Sequence, residues 1–222
     1  MPPFPKLWQR LTMLLLNGLS LLHLVAILLV ALRPWASLPW RVPAVLAVLF
    51  VAPPILGRVV KRLSGLGEGH IPLGSSAFFA WWAVANLQVI FTRLPFLEEL
   101  LRMVPGLYGL WLRAWGSRVS ALVYWAPGLQ ILDRGYVAIG DMVVFGAGVR
   151  LNPHVFLKNE AGEMELILAP IHIGDRCLVG GYSLLTAGTE FPDDEIGRAY
   201  LISPPYSRWK NGVRVGRMGD KA

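Results

Sequence analysis

The chain has 222 residues, of which 55% are hydrophobic, and a formal net charge of +7. This composition is too apolar for an ordinary soluble domain of the same length. The single cysteine, Cys177, excludes an intrachain disulfide and any zinc site built from several cysteines. The basic residues lie beside apolar segments and in the tail, not in a stripe or a nucleic-acid-binding motif, so we expect no nucleic-acid partner.

Two apolar segments near the start predict a transmembrane helical hairpin over residues 1–64. Residues 11–32, LTMLLLNGLSLLHLVAILLVAL, run for 22 residues without a charge, which is the length needed to cross a bilayer. This core is too long for a signal peptide, and no small-residue cleavage site follows it. Residues 42–56 form a shorter second segment, interrupted by Pro53 and Pro54.

Basic residues at the ends of this hairpin predict its orientation. Five of them lie outside the hairpin, and only Arg33 and Arg41 lie between its segments. The positive-inside rule then places both ends in the cytoplasm, on a multi-pass protein of the cytoplasmic (inner) membrane. His23 falls within the first segment, where we favour a role in helix packing over a functional one.

Residues 65–117 are expected to form a linker followed by interfacial or amphipathic helices. The linker is the glycine-rich GLGEGHIPLGSS, residues 65–76. Residues 77–94 fit either a third crossing or a helix lying in the membrane interface, and a third crossing would move the rest of the chain outside. Within 107–117 one helical face carries an apolar stripe, formed by Leu107, Leu110, Trp111, Ala114 and Trp115.

From residue 118 the sequence repeats every six residues. Ile139, Phe145 and Leu151 form one apolar series, and a second contains Val143, Val149 and Val155. Neither an α-helix nor an ordinary strand has this period, whereas a hexapeptide repeat indicates a β-solenoid with triangular coils of three short strands. In such a coil both series point inward, and the glycines that follow the first series are expected to ease the corners.

The period is interrupted once and then resumes in the same register. The interruption is the loop 156–170, with a turn at Gly162 between two strand-like arms. The resumed series contains Ile173, Val179, Leu185 and Phe191, and Cys177 occupies an inward position beside them. We therefore expect Cys177 to be a small core residue and not a nucleophile. The coils are predicted over residues 118–202, followed by a basic C-terminal tail over 203–222.

The motifs IGDMVVFGAGVRLNPH and PIHIGDRCLVGGYSLLTAGTEFPDDEIG, on either side of the loop, resemble the left-handed β-helix, hexapeptide-repeat acyltransferases. The pattern most resembles membrane-associated members, including acyltransferase-like modules at the C-termini of some nonribosomal peptide synthetases. The resemblance implies a left-handed parallel β-helix and homotrimers with active sites between neighbouring subunits. It also implies a histidine base, and acyl-CoA or an acyl-carrier protein as co-substrate, with no bound cofactor.

His154 is the candidate catalytic residue. It lies one position before the inward Val155, so the alternation turns it outward, and it precedes the loop as the family's base does. A histidine there can remove a proton from an acceptor hydroxyl or amine as it attacks a thioester. The alternative is a surface or trimer-packing histidine without a catalytic role.

The candidate substrate-binding residues are Asn152, Lys158, His172, Gly181, Tyr182, Arg208 and Lys210. Gly181 and Tyr182 face outward in the first coil after the loop, where a pantetheine arm would run in the family. Arg208 and Lys210 suit donor phosphates, and equally suit anionic lipid headgroups. His172 is more typical of a wall or surface residue. The coils contain two histidines and no cysteine able to supply a third ligand, so we expect no metal site.

Two functional hypotheses are compatible with these patterns. The first is a membrane-anchored acyltransferase that moves an acyl group from an acyl-CoA or acyl-carrier-protein thioester to a hydroxyl or amine of a lipidic or membrane-linked acceptor. The second is a non-catalytic, membrane-tethered trimeric β-helix scaffold that organises partner enzymes. In both, the basic flanks of the apolar segments contact membrane lipids.

Overall fold

The computed structural model describes residues 6–33 and 37–217. Residues 1–5, 34–36 and 218–222, which belong to the predicted hairpin and tail, lie outside this description. The helices are α1 (Leu7–Ala31), α2 (Leu38–Leu46), a π-helical segment (Ala47–Val51), α3 (Ala52–Ser64), α4 (Ser76–Leu87), α5 (Val89–Arg93), α6 (Phe96–Arg102) and α7 (Leu107–Trp115).

The two N-terminal apolar helices are long enough to cross a membrane. α1 spans 25 residues, and the run from α2 through α3, Leu38–Ser64, spans 27. No residue of α1 is buried in the protein, and its leucines are largely exposed. By length and composition, both helices fit the predicted hairpin.

Prolines explain the π-helical segment in the middle of the second helix. Pro53 and Pro54 have no backbone N–H, and the N–H of Ala52 bonds to the carbonyl of Ala47, five residues earlier. Side chains from other helices lie within hydrogen-bond distance of two backbone carbonyls of this segment. The ring Nε2 of His23 lies 2.9 Å from the Val48 carbonyl, and Trp111 Nε1 donates to the Phe50 carbonyl at 2.8 Å. His23 thus has the packing role expected for it.

The third apolar segment is a short helix packed against the protein. α4 has 12 residues, which rise about 18 Å, whereas the hydrocarbon core of a bilayer is about 30 Å thick. It contacts both α1 and α3, and Trp81 is buried. Trp82 Nε1 donates to Asn17 Oδ1 of α1 at 2.9 Å. By its length, α4 alone is therefore too short to cross this hydrocarbon core.

The buried face of α7 differs from the predicted stripe. Trp111 and Trp115 are buried as expected, but Leu110 and Ala114 are exposed. The burial of Tyr108 and Leu112 completes a face at positions i, i+3, i+4 and i+7. The predicted stripe was thus misplaced by about one residue.

The strands are β1 (Gly69–Pro72), β2 (Arg118–Val119), β3 (Val123–Trp125), β4 (Gln130–Ile131), β5 (Val137–Ile139), β6 (Val143–Phe145), β7 (Arg150–Asn152), β8 (His154–Lys158), β9 (Met164–Leu168), β10 (Ile171–Ile173), β11 (Leu178–Val179), β12 (Leu184–Thr186), β13 (Glu190–Phe191), β14 (Ile196–Gly197), β15 (Ile202–Ser203), β16 (Ser207–Lys210) and β17 (Val213–Arg217).

From β2 onward the chain enters three parallel sheets in turn. The sheet orders are β17-β16-β13-β10-β5-β2, β14-β11-β6-β3 and β15-β12-β7-β4, and only β17 pairs antiparallel. After the loop, each residue pairs with one 18 positions later, as His172 does with Glu190 and Leu178 does with Ile196. Three hexads make 18 residues, so this is the strand order that the six-residue period predicts for a solenoid.

The predicted inward residues fill the space between the three sheets. Phe145, Leu151, Val179 and Leu185 have no exposed surface, and Cys177 is buried among them. Val155 is the exception, because it belongs to the projecting loop and is only partly buried. The core register is therefore confirmed except at the residue where the loop leaves the coils.

Gly146 and Gly180, which follow inward residues of the first series, are required because the backbones of neighbouring coils approach each other closely there. A Cβ on Gly146 would lie 2.4 Å from the backbone nitrogen of Gly181, and one on Gly180 would lie 2.3 Å from that of Ala199. Neither glycine has a positive φ. The expected reason, an unusual corner angle, was thus wrong for these positions.

The linker and the tail contain strands that the sequence does not indicate, whereas the loop has the two strand-like arms expected of it. β8 and β9 form a hairpin that turns at Gly162, and β1 from the predicted linker pairs antiparallel with β9. The tail contributes β16, which continues the six-stranded sheet beside β13, and β17, which folds back on it. The six-stranded sheet therefore continues beyond residue 202.

Candidate active site

His154 and Asp133 form the most suggestive side-chain pair of the coiled region. His154 Nδ1 lies 2.5 Å from Asp133 Oδ2. The other carboxylate oxygen, Oδ1, accepts a hydrogen bond from Trp81 Nε1 at 2.9 Å. The His154 side chain is 20% exposed and that of Asp133 is 4% exposed. His154 is therefore partly exposed, and its partner is the buried Asp133 carboxylate, which contacts His154 through one oxygen and Trp81 through the other.

The coil geometry explains why these two residues meet. β4 and β7 are neighbours in one parallel sheet, with Ile131 beside Leu151. Asp133 and Pro153 follow these residues by two positions each, so they leave the sheet at the same level. His154 comes directly after Pro153 and thus lies over the carboxylate one coil below.

The turn that carries Asp133 is held by buried polar contacts. The backbone N–H of Tyr136 donates to the Asp133 carbonyl at 3.0 Å. Next to it, the Arg134 guanidinium forms an ion pair with Glu98 of α6, and both side chains are almost fully buried. The Arg134 backbone N–H also donates to Gln88 Oε1 at 2.9 Å. Such a network restricts the position of the Asp133 carboxylate.

The arrangement sets the tautomer of His154. An ionised carboxylate only accepts hydrogen bonds, so Nδ1 must carry the hydrogen toward Asp133. The lone pair of the neutral ring is then on Nε2. Among the described residues no group forms a hydrogen bond with Nε2, and the ring is partly exposed. A proton acceptor is thus available at the surface.

The environment also shifts the basicity of His154. Burial by itself would lower its pKa, but the negative charge of Asp133 and the hydrogen bond to it outweigh burial, so the pKa of His154 is raised above its ordinary value. The Trp81 ring stands edge-to-face with the imidazole at 4.9 Å between centroids, and the Phe156 ring at 6.0 Å. These aromatic rings form an apolar wall beside the base.

Three predicted substrate-binding residues lie together in a different place, an open groove of about 1070 Å³ on the six-stranded sheet. His172, Arg208 and Lys210 line this groove. Arg208 Nε lies 2.7 Å from Glu190 Oε2, so an acidic residue already pairs with it. His154 is not among the lining residues.

The remaining predicted residues are spread along the coils. Asn152 ends β7, two residues before His154, and is half-buried. Lys158 is exposed at the far end of β8, opposite Met164. Gly181 and Tyr182 form a corner, where the Tyr182 ring is exposed and stacks on Tyr200 at 5.4 Å between centroids.

Sequence reasoning missed Asp133 and Trp81. No acid-base partner stands near His154 in the sequence, and Asp133 lies 21 residues earlier, three more than the 18 residues of three hexads, so the period does not identify it. Trp81 belongs to α4, outside the repeat, and nothing in the sequence relates it to Asp133. Among the described residues, no group of three or more His, Cys, Asp or Glu side chains is placed to hold a metal ion.

No protein-family model matches the chain, and no curated protein matches it. Solved structures of a hexapeptide-repeat-containing acetyltransferase from Vibrio cholerae are similar to it. One has 13% identity and a TM-score of 0.34, and the match covers 60% of this chain and 93% of that chain. The other, from Vibrio cholerae O1 biovar eltor and complexed with acetyl coenzyme A, has 13% identity, a TM-score of 0.25, and coverage of 61% and 91%. These values are too low to carry an argument about the activity of this chain.

Proposed function

We propose that this protein is a membrane-anchored acyltransferase with His154 as its general base. The observation that carries the proposal is the 2.5 Å contact between His154 Nδ1 and Asp133 Oδ2, on a partly exposed side chain whose Nε2 has no hydrogen-bond partner among the described residues. A histidine oriented by a buried carboxylate is an arrangement that supports general-base catalysis.

In the proposed reaction, Nε2 of His154 accepts the proton of an acceptor hydroxyl or amine. The acceptor oxygen or nitrogen attacks the carbonyl carbon of an acyl thioester, and a new C–O or C–N bond forms. The C–S bond then breaks, and the leaving sulfur takes the proton back from the imidazolium. Asp133 acts as a positioning residue, since its charge stabilises the imidazolium formed on the way.

The donor is an acyl thioester of coenzyme A or of a carrier protein. The groove on the six-stranded sheet is the proposed donor site, with Arg118 and Lys210 as the cations that would contact the donor's phosphates. Its lining also contains Glu190, Asp193, Asp194 and Glu195, and Glu190 pairs with Arg208, so the groove as a whole is not cationic. Gly181 and Tyr182 on the neighbouring corner would contact the pantetheine arm, and Asn152 lies two residues before the base. Lys158, at the far end of β8, would contact a more distant part of a substrate.

The coils are proposed to be a left-handed β-helix that assembles as a homotrimer. An exposed row of apolar side chains supports a subunit interface, since one such residue stands on each strand of the sheet β14-β11-β6-β3. The row consists of Tyr124, Val144, Leu178 and Ile196, which are adjacent in register. A continuous apolar row on a soluble face is typical of a surface that another subunit covers.

Membrane anchoring supports a lipidic or membrane-linked acceptor, presented on the cytoplasmic side. α4 carries Trp81, which touches the base, and packs on α1 and α3. The base thus lies directly against the helix that joins the coils to the proposed membrane hairpin. A lipid-linked hydroxyl or amine would approach it from the bilayer surface.

The experiment is a transfer assay with full-length protein reconstituted in lipid, offered acyl thioesters of several chain lengths and lipid acceptors. We expect acyl transfer by the wild type and a loss of about 10²-fold or more in His154→Ala. His70→Ala is the matched control, because His70 is exposed and pairs with Glu165 outside the site. Full activity of His154→Ala would refute the assignment of the base, and no transfer by the wild type would favour the scaffold.

A further inference from the structure

A second groove, of about 550 Å³, lies where the end of α3 passes the end of α7. Its walls combine two kinds of side chain, namely the apolar Ile55, Val59 and Trp115 and the basic Arg58, Lys61 and Arg62. Neither His154 nor the residues of the larger groove take part in it.

Gly57 explains the close contact of the two helices beside this groove. A Cβ on Gly57 would lie 2.9 Å from Cζ3 of Trp115, so only glycine lets the indole reach the α3 backbone. Trp115 is buried at this contact. The groove opens just beyond it, over the last two turns of α3.

Among the described residues, no Asp or Glu oxygen lies within 4.0 Å of Arg58, Lys61 or Arg62, although the charge of Asp133 attracts Lys61 from beyond that distance. Lys61 Nζ rests 3.8 Å above the centre of the Tyr136 ring. Lys61 and Arg62 also suit the negative end of the α3 dipole, but Arg58 lies a full turn earlier and is not explained in this way.

The groove lies at the end of an apolar helix long enough to cross a membrane, Leu38–Ser64. The side chains near that end lie at the depth of lipid headgroups if the helix spans the bilayer. We propose that this groove binds the phosphate headgroup of an anionic membrane lipid, with the cations on the phosphate and the aliphatic wall on the glycerol and upper acyl chains. The inference rests on the membrane insertion proposed above, and it does not depend on catalysis.

Lys61 connects this groove to the candidate active site. The ring beneath its amine belongs to Tyr136, whose backbone N–H bonds to the Asp133 carbonyl. A headgroup bound here lies beside the turn that carries Asp133. The bound lipid would therefore hold the base at the bilayer surface.

The test measures lipid binding to the full-length protein by native mass spectrometry in a mild detergent. Phosphatidylglycerol and phosphatidylcholine with identical acyl chains are compared. We expect phosphatidylglycerol to bind at least tenfold more tightly. Arg58→Gln with Arg62→Gln should weaken its binding by roughly fivefold for each charge removed, with little effect on phosphatidylcholine.

The matched control removes two charges elsewhere, with Arg93→Gln and Arg198→Gln, both exposed and outside the groove. It should bind phosphatidylglycerol as the wild type does, and so should His154→Ala, which separates this test from the transfer assay. Equal affinity for the two lipids would overturn the proposal, as would unchanged binding by the groove variant. Binding of glycerol 3-phosphate as tight as that of phosphatidylglycerol would assign the groove to a soluble phosphate instead.

Discussion

Trp81 donates its indole hydrogen to Oδ1 of Asp133 at 2.9 Å, and this bond joins α4 to the carboxylate that orients His154. Each oxygen of Asp133 thus has its own partner. The bond also crosses the boundary between the helical part of the chain and the coils. Helix packing against the hairpin and orientation of the base are therefore coupled through one carboxylate.

Asp133→Asn should remove the charge that raises the pKa of His154 while keeping the size of the side chain. The base must be neutral to accept a proton, so activity rises with pH through the pKa of His154. Because Asp133 raises that pKa, the rising limb of kcat/KM should move to lower pH in the variant. The plateau should also fall, by about 10²-fold, since the imidazolium loses its stabilising charge. If the rising limb of kcat/KM stays at the same pH in Asp133→Asn, Asp133 does not raise the pKa of His154.

Trp81→Phe should keep the aromatic packing and remove only the donor to Asp133. Hydrogen bonds to charged groups contribute about 1.5–3 kcal/mol, so we expect thermal unfolding at lower temperature together with reduced kcat. Trp82→Phe is the matched control, because Trp82 lies next to it on α4 and bonds to Asn17 instead. Equal loss of kcat in both variants would argue for a general effect of helix packing.

Gly180→Ala should destabilise the coils, because the added methyl group would lie 2.3 Å from the Ala199 backbone. Overpacking of this kind costs about 1–3 kcal/mol. Gly67→Ala provides the comparison, since a Cβ there has nothing within 4 Å and its φ is not positive. Thermal unfolding followed by circular dichroism measures both. A stability of Gly180→Ala equal to that of Gly67→Ala would contradict the close approach of the coils.

Cys177 should resist thiol reagents in the folded protein. Its side chain is buried, and burial raises the pKa of the thiol above its ordinary value, so little reactive thiolate forms at neutral pH. Sγ also lies 3.0 Å from the Pro192 carbonyl. We expect maleimide labelling only after denaturation, as measured by mass spectrometry. Rapid labelling of the native protein would contradict this and would support Cys177 as a reactive nucleophile.

The periodic part of the fold was predictable because the repeat is local. Each inward position of a hexad recurs at a fixed spacing, so residues such as Phe145 and Leu185 are identified as core before any coil is seen. The strand of the linker was not predictable in this way. β1 forms only because β9 offers it an edge, and this partner lies almost 100 residues away.

The candidate site shows the same division. The sequence alone determined that His154 points outward, because this follows from its position in the repeat. The sequence also determined the apolar length of the two N-terminal helices. The Asp133 carboxylate, the Trp81 donor and the groove between α3 and α7 were decided by tertiary structure alone. Their partners come from different coils and from helices outside the repeat, and no sequence spacing encodes how these elements pack against one another.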